Sequence, residues 1–265
     1  MSSKQDYYRT PEELLNELGI TEPEEIKLEV IAAHCNAYVE YEKLTGCEAR
    51  ILGDGDTAII TVNENSQEYR KRFSIGHELG HWMNDRDKAV FSCSEDTYIR
   101  EWKKYNPESR ANEYSAKLLL PQFMFEPLVK GRDVTFHTVE ELATQFRTSL
   151  TATAFRLVEV GEFPSMLVLC DSNKRLWFKA NKIIPKSLWP REIPGKDSNA
   201  ARLFRGINIE DSPSEKYADC WFSYNRSERY VIKEHSRRIP PNLVLTLLWW
   251  EDEKQILDIM DEEDE

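Results

Sequence analysis

Residues 77–81 have the sequence His-Glu-x-x-His, in a stretch whose apolar positions predict a buried helix. Two histidines four residues apart lie on one face of a helix, so His77 and His81 can reach a single metal ion. Glu78 follows the first histidine directly, which places its carboxylate beside the metal and not on it. A bound zinc ion lowers the pKa of a coordinated water from ~15.7 to about 7, and Glu78 can accept the released proton. The motif therefore predicts one Zn²⁺ site, in which Mn²⁺ could substitute, with Glu78 as the general base.

The third ligand must come from another element. Asn106 and Pro107 predict the start of a helix that stops at Pro121. Two glutamates of this helix compete, Glu108 and Glu113. Glu108 is favoured because it shares a face with small residues that would let the two helices approach closely: Ala111, Asn112 and Ser115, followed by Leu119. Glu113 shares its face with Lys117, so a surface ion pair is its simpler explanation.

Further residues are candidates for supporting roles. Asn112 lies one turn beyond Glu108 and could hydrogen-bond the second ring nitrogen of a ligating histidine. Donors to the oxyanion of a tetrahedral intermediate need a geometry that spacing does not reveal. The candidates for that role are Tyr98, Tyr105, Tyr114 and His137.

The elements around the site are predicted from periodicity and turn residues. Pro11 begins a short helix that Gly19 closes, and a second helix is expected from near Glu22 to about Lys43. A hairpin with an Asp54-Gly55 turn follows, and its second strand is expected to form the upper edge of the substrate cleft. Residues 85–105 are expected to form a loop or lid beside the cleft.

The predicted secondary structure changes along the rest of the chain, from helices to strands. Residues 138–157 read as two short helices joined by a tight turn, a helix-turn-helix pattern without a basic surplus. Beyond Pro164 the pattern predicts strands, at residues 166–170, 175–179, 220–224, 229–233 and 243–250. Residues 251–265 carry nine carboxylates and one lysine, which predicts a solvated, mobile end.

Composition limits the possible functions and locations. A formal net charge of -12 argues against strong direct nucleic-acid binding, because phosphate neutralisation needs an excess of Lys and Arg. Five scattered cysteines without a Cys-x-x-Cys pair fit reduced thiols in a cytoplasmic protein. The N-terminus has no apolar signal region, and no apolar run reaches the ~18 residues of a membrane span.

The chain resembles the ImmA/IrrE family of bacterial metallopeptidases. Three blocks carry the likeness, in this order: the strand at residues 58–63, the block at residues 72–81, and the Glu-x-x-Ala-Asn helix at residues 108–121. In that family this helix supplies the third zinc ligand, which falls on Glu108 and makes the site gluzincin-like. Tyr114-Ser115 stands where the family usually has Phe-Ala. The resemblance implies a site-specific endopeptidase that cleaves a helix-turn-helix transcriptional repressor and switches on stress-response, defence or mobile-element genes.

Motifs and resemblance together predict an α+β protein. Its expected parts are a zincin-like metallopeptidase domain with a small antiparallel sheet (1–135), a helix-turn-helix-like region (136–163), a β-rich, sensor-like C-terminal domain (164–250) and an acidic tail (251–265). The alternative function is a regulatory or toxin-like binding protein that sequesters a partner and keeps the metal for structure. A closed structural site needs a fourth protein ligand, and none is evident near the motif, which favours the peptidase.

Overall fold

The structure is a computed structural model that describes residues 7–86, 91–94, 106–186, 188–224 and 226–263. The chain divides into two compact units. The first runs up to Phe125 and includes Ala143–Ser149, and the second consists of Glu126–Leu142 and the chain from Leu150 onwards. The mixture of helices and sheets is that of an α+β protein.

The first unit places its helices on one face of a small sheet. Its helices are α1 (Pro11–Glu17), α2 (Leu28–His34), α3 (Glu68–Asp85) and α4 (Pro107–Leu119). Its strands are β1 (Ala37–Glu42), β2 (Cys47–Asp54), β3 (Thr57–Asn63) and β4 (Phe91–Ser94). The buried side chains of β2 and β3 alternate with exposed ones, as expected for a sheet with one covered face.

The predicted hairpin is confirmed. Strands β2 and β3 pair antiparallel, and Gly55 occupies the left-handed region at φ 57° in the turn between them. The strand order is β1-β3-β2-β4, with β1 parallel to β3. The expectation that β3 forms the upper edge of a cleft is therefore wrong. Both sides of β3 are paired, and among the described strands β1 and β4 lie at the edges.

The expected long second helix is also wrong. A 3₁₀ turn at Pro23–Glu25 precedes α2, which ends at His34, and β1 occupies the remaining stretch. Asn36 adopts a left-handed conformation at φ 58°, which ends the helix and redirects the chain. The spacing of Tyr38 and Tyr41 fits a helix, but tyrosine is favoured in strands. A short stretch of this kind fits both structures, and its pairing with β3 makes it a strand.

Two helices run across the division between the units, α5 (Gln122–Val129) and α6 (Phe136–Phe146). Helix α6 is followed by Arg147, which has φ 54°, and by α7 (Leu150–Val160). The left-handed residue gives the tight turn that the sequence indicated between two short helices.

The second unit is built on an antiparallel sheet with the strand order β6-β5-β9-β8-β7. The strands are β5 (Ser165–Cys170), β6 (Arg175–Ala180), β7 (Ser214–Tyr217), β8 (Val231–Ile239) and β9 (Leu243–Trp249). All six residues of β5 are buried, because helix α7 packs against one face and an aromatic core fills the other. That core includes Trp221, Phe222 and Trp250.

Three expectations for this half need correction. Residues 220–224 do not form a strand, since a 3₁₀ turn at Ala218–Cys220 leads into turns there. The predicted set of elements also omitted helix α8 (Asn199–Phe204) and strand β7. The acidic end contains helix α9 (Lys254–Glu263), whose Ile256 is 1 % exposed and belongs to the aromatic core. One apolar residue therefore anchors a segment that composition alone describes as mobile.

The expectations about membrane spans and cysteines can be compared with the described residues. Within them, no helix is both long and apolar enough to cross a membrane. Cys35, Cys47, Cys170 and Cys220 are free thiols. Burial raises the pKa of Cys35 to about 11 and of Cys170 to about 12, so neither is an activated nucleophile.

Candidate metal centre

Helix α3 positions the two histidines of the His-Glu-x-x-His motif. His77 and His81 are each 1 % exposed, and their ring centroids are 4.7 Å apart. Their Nε2 atoms approach to 3.1 Å, so both face the same point. Four residues make slightly more than one helical turn, which stacks the two rings on the buried face of the helix.

Helix α4 brings Glu108 to the same point. Asn106 caps this helix by accepting a hydrogen bond from the Glu108 N–H at 3.1 Å, and Pro107 occupies the first position. The carboxylate of Glu108 lies 3.3 Å from His77 Nε2 and 3.4 Å from His81 Nε2. His77, His81 and Glu108 thus offer one ligand atom each within 4.8 Å of one another, a cluster that could hold a metal ion.

The approach of the two helices depends on glycine. A Cβ atom at Gly76 would lie 2.6 Å from Ser115 Oγ, and one at Gly80 would lie 2.9 Å from the backbone Cα of Ala111. Ser115 also donates a hydrogen bond to the Phe73 carbonyl at 2.8 Å. The stripe of small residues on α4 does make the close contact that the sequence indicated. Glycines on the facing helix are the other half of that contact, which the sequence analysis overlooked.

The types of donor atom and their spacing suit a metal ion such as zinc. Zinc bonds to nitrogen and carboxylate oxygen of ~2.0–2.1 Å, at tetrahedral angles, separate neighbouring ligand atoms by about 3.3–3.4 Å. The two histidine Nε2 atoms are 3.1 Å apart, one Glu108 oxygen lies 3.3 Å from His77 Nε2, and the other Glu108 oxygen lies 3.4 Å from His81 Nε2. Two imidazoles and one carboxylate are also a donor set typical of catalytic zinc, and an ion held by these three side chains would keep a coordination position open to water or substrate.

The protonation states suit metal binding. Burial lowers the pKa of His77, which keeps its imidazole neutral and its lone pair available. The imidazoles of His77 and His81, which lie directly against its carboxylate, hold the pKa of Glu108 far below its usual range, so this carboxyl is ionised. The His77 imidazole and the Glu108 carboxylate thus offer a neutral nitrogen donor and a negative charge to a cation.

Asn112 fixes the orientation of His77. The Nδ1–H of His77 donates to Asn112 Oδ1 at 2.9 Å, which assigns the tautomer whose Nε2 lone pair faces Glu108. Glu78 follows His77 in α3, and its side chain is fully buried. A second contact between the helices was not anticipated: Arg110 donates two hydrogen bonds to buried Asp85, at 2.7 and 3.0 Å. Its sequence signal is confined to α3, where Asp85 follows His81 by four residues and therefore lies on the same face.

The remaining candidates lie elsewhere. Glu113 pairs with Lys117 at 2.7 Å on the exposed side of α4, which argues against it as a ligand. The Tyr114 hydroxyl donates to the Arg9 carbonyl at 3.1 Å and its ring is buried, so it is not placed as an oxyanion donor. His137 belongs to the second unit, where its exposed ring lies 3.0 Å from Glu141. Tyr98 and Tyr105 lie outside the described residues.

Comparison with known proteins identifies the domain that carries this site. Residues 32–158 match the family model described as the IrrE N-terminal-like domain. This segment, slightly less than half of the chain, is similar to that family. The match includes α3 and α4 with all three candidate ligands, and it ends within α7. The resemblance inferred from the sequence motifs is therefore confirmed.

Two curated relatives of this IrrE-like chain are similar to it over nearly half of its length. Both are radiation response metalloproteases named IrrE. The one from Deinococcus radiodurans is 25 % identical over 121 residues, which is 46 % of this chain and 37 % of the relative. The one from Deinococcus deserti is 26 % identical over 122 residues, which is 46 % of this chain and 43 % of the relative. The matched region thus spans less than half of either relative.

A solved structure shares the fold over a larger part of the IrrE-like chain. A Mycobacterium tuberculosis transcriptional regulator matches 90 % of this chain and 73 % of its own, with a TM-score of 0.58 and 12 % sequence identity. At that identity the likeness concerns the fold alone, and it extends beyond the peptidase-family region into the second unit.

Proposed function

We propose that this protein is a zinc-dependent endopeptidase. The observation that carries the proposal is the convergence of His77, His81 and Glu108 beside the buried Glu78. Relatives named as metalloproteases support the same reaction class. The peptidase domain is assigned to residues 1–135, with a zincin-like arrangement of sheet and metal helix.

His77, His81 and Glu108 would hold the ion, which is assigned as Zn²⁺ with Mn²⁺ as a substitute. A zinc ion in such a site supplies Lewis acidity, which lowers the pKa of water and polarises a substrate carbonyl. Asn112 keeps His77 in the tautomer that can bind. Glu78 accepts the proton of the attacking water and delivers it to the amine that leaves, so one water is consumed for each peptide bond that breaks.

The proposed substrate is a transcriptional repressor of the helix-turn-helix kind, cut at one site in the cytoplasm. Relatives that carry the name radiation response metalloprotease support a role in a stress response. Helices α6 and α7 form the proposed helix-turn-helix-like region, in a packing or protein-contact role, and the β-rich unit is the proposed sensor-like domain. Release of the repressor's target genes would then be the output.

The decisive experiment compares the wild type with Glu78→Gln. Metal content is measured by inductively coupled plasma mass spectrometry, and cleavage is measured on the helix-turn-helix repressor encoded beside this gene. Because Glu78 is a base and not a ligand, we expect equal zinc in both proteins and cleavage in the wild type alone. Glu113→Gln, a charge-matched change on the surface of α4, should retain both properties.

Two other outcomes would redirect the proposal. Equal zinc with no cleavage by either protein, on this repressor and on unfolded casein, would favour a partner-sequestering protein with a structural metal. Cleavage by Glu78→Gln at the wild-type rate would remove Glu78 from the chemistry.

A further inference from the structure

The sheet of the first unit has an outward face, because its buried side chains alternate with exposed ones. Three large apolar side chains lie on this face: Tyr38 on β1, Leu52 on β2 and Ile59 on β3 are 51 %, 56 % and 41 % exposed. The strand register places them side by side, because Ile59 is the partner of Tyr38 on one side and of Leu52 on the other. Neighbouring strands lie about 4.7–4.9 Å apart, so these side chains are direct neighbours. We call them the apolar row.

Two acidic side chains flank the apolar row. Glu40 and Asp54 each lie two residues beyond a member of the row, on β1 and β2, so both share its face. The register places Glu40 beside Thr61 and Asp54 beside Thr57, which are on opposite sides of Ile59 along β3. Both acids are exposed, and within the described residues neither has a Lys, Arg or His nitrogen within 4.0 Å. The apolar row therefore lies between two uncompensated negative charges.

These charges restrict what can cover the outward face. Glu42, on the same face of β1, is paired with Arg50 at 3.2 Å, unlike Glu40 and Asp54. A nucleic acid or an anionic membrane would bring further negative charge to the two free carboxylates. A second copy, packed about a two-fold axis, would bring the same two carboxylates, and each copy has a formal net charge of -12. The charges therefore favour a basic protein surface.

We propose that the apolar row and its two flanking carboxylates form a docking surface for a protein whose own surface is basic and carries an apolar residue. Exposed apolar side chains are normal when scattered, whereas contiguous ones rimmed by polar groups mark interaction sites. An apolar centre with charges at its rim is also the usual arrangement of a protein interface. Charges of opposite sign across such an interface select the partner and speed its association.

The occupant of this surface is the helix-turn-helix repressor, an identification that rests on the proposed function. A protein that binds DNA carries an excess of Lys and Arg where it neutralises phosphates. That surface complements the carboxylates of Glu40 and Asp54. Helix α3, which carries His77 and His81, packs on the other face of the sheet, so a protein docked on the apolar row leaves the metal centre open. Docking would then select one protein, and the metal centre would cut the segment that reaches it.

The first test measures binding without hydrolysis. Full-length, zinc-loaded Glu78→Gln protein is titrated into the fluorescein-labelled repressor encoded beside this gene, and anisotropy is followed from about 50 to 300 mM NaCl. The variant Y38T/L52T/I59T removes the apolar side chains but keeps residues that favour strands. We expect it to weaken binding by about tenfold or more, as loss of a central apolar contact does. E40Q/D54N should weaken binding about threefold at low salt and reduce its salt dependence.

Controls separate the apolar row from exposed apolar residues in general. The variant I183T/I193T/I207T removes three exposed isoleucine side chains of the second unit and should bind within about twofold of the parent. Circular dichroism checks that each variant is folded, and E40Q/D54N tests the surface even if the threonine triple on the sheet is not. No binding by the parent at low salt, equal weakening by both threonine triples, or unchanged binding by Y38T/L52T/I59T would overturn the proposal. A parent that sediments as a dimer, with Y38T/L52T/I59T as a monomer, would overturn it in favour of a second copy.

A second test, with Glu78 restored, separates this inference from the proposed function. Y38T/L52T/I59T should lower kcat/KM for the whole repressor about tenfold more than for a short peptide that spans the cleavage site, because only the repressor can dock. The loss should appear in KM. Equal losses on the two substrates would overturn the docking surface and leave the peptidase in place. Binding that depends on the apolar row, without cleavage of either substrate, would support the docking surface and overturn the peptidase.

Discussion

Asn112 acts on the metal centre through the ring of His77. Without its side-chain oxygen, the His77 Nδ1–H loses its 2.9 Å partner and the ring loses both its fixed tautomer and its orientation. Loss of such a supporting hydrogen bond typically costs 10–100-fold in metal affinity. We therefore expect Asn112→Ala to bind zinc 10–100-fold more weakly, measured by competition with a chromophoric chelator.

Variants at neighbouring positions make this prediction specific. Asn112→Asp keeps an acceptor oxygen and should bind zinc within a few-fold of the wild type. Glu113→Ala, at the exposed position that follows, should bind like the wild type. Unchanged affinity in Asn112→Ala would mean that helix packing alone orients His77.

His235 makes the second unit sensitive to acid. Its ring is 2 % exposed, its Nδ1 accepts from the Phe136 N–H at 3.1 Å, and its Nε2–H donates to Asp211 at 3.0 Å. Burial lowers the pKa of His235 below its usual value near 6.5. The unfolded chain therefore takes up a proton at a higher pH than the folded chain does. The stability contribution is complete above about pH 6.5 and is lost as pH falls towards the lowered pKa.

The measurement is urea unfolding between pH 7.5 and 5, for wild type and His235→Gln. Each unit of pKa difference is worth about 1.4 kcal/mol, so the wild type should lose stability over this window. Glutamine does not titrate, and the difference between the two proteins should shrink at the acid end. Parallel pH profiles would show that the folded and unfolded pKa values of His235 are the same.

At the scale of elements, the contact between α3 and α4 is the feature that creates the site. Alanine normally stabilises a helix relative to glycine by about 0.8–1.0 kcal/mol. At Gly80 the new Cβ would lie 2.9 Å from the Ala111 backbone and 2.9 Å from Tyr114 Cβ, and backbone cannot move aside cheaply. We expect Gly80→Ala to destabilise the protein by about 1–3 kcal/mol and to weaken zinc binding, because the helix that carries Glu108 must shift.

Thermal unfolding of the metal-free protein measures the loss of stability in Gly80→Ala, and a zinc titration measures the loss of affinity. Tyr69→Ala is the comparison on the same helix, where the side chain is 42 % exposed and a change within about 0.5 kcal/mol is expected. A stabilised Gly80→Ala protein with normal zinc affinity would mean that the helices are not in close contact there.

Helix α9 offers a second prediction for an element. Ile256 is 1 % exposed within the aromatic core, whereas its neighbour Leu257 is 58 % exposed. Removing a buried isoleucine side chain beyond Cβ typically costs about 2–5 kcal/mol. We expect Ile256→Ala to lower the urea midpoint followed by tryptophan fluorescence, and Leu257→Ala to leave it unchanged. Equal midpoints for all three proteins would place this helix away from the core.

The elements also show which features the sequence could predict. The spacing of His77 and His81 requires only a helix, and the face of Glu108 requires only a second helix beside it. The sequence did not predict the start of β1, because α2 ends where Asn36 adopts a left-handed conformation, and an asparagine alone does not indicate that conformation. The core contact of Ile256 depends on a partner surface that includes Phe222, 34 residues away in the sequence, and the composition of the acidic end carries no information about it.

At the scale of the whole molecule, the two units are interleaved in sequence. The first unit includes Ala143–Ser149, which lies beyond the boundary at residue 135 that the motifs suggest for the peptidase domain. Phe146 is fully buried, and its ring centroid lies 5.4 Å from that of Phe125. Arg147 also pairs with Glu68 at the start of the metal helix, at 2.8 Å. The returning segment therefore belongs to the packing that supports the metal centre.

This interleaving predicts how truncated proteins behave. A fragment of residues 1–135 lacks Phe146, which packs against Phe125. In protein cores, loss of a buried phenylalanine side chain costs about 3–5 kcal/mol of folding free energy, as Phe→Ala changes show. A fragment of residues 1–149 retains that contact and should be more soluble, with a higher melting temperature by circular dichroism. Phe146→Ala in the longer fragment is the matched control, because it removes the contact and leaves the length of the fragment unchanged. If its melting temperature falls to that of the shorter fragment, the contact accounts for the difference. If the fragments 1–135 and 1–149 have the same melting temperature, the peptidase domain folds without residues 143–149 and ends near residue 135, as the motifs predict.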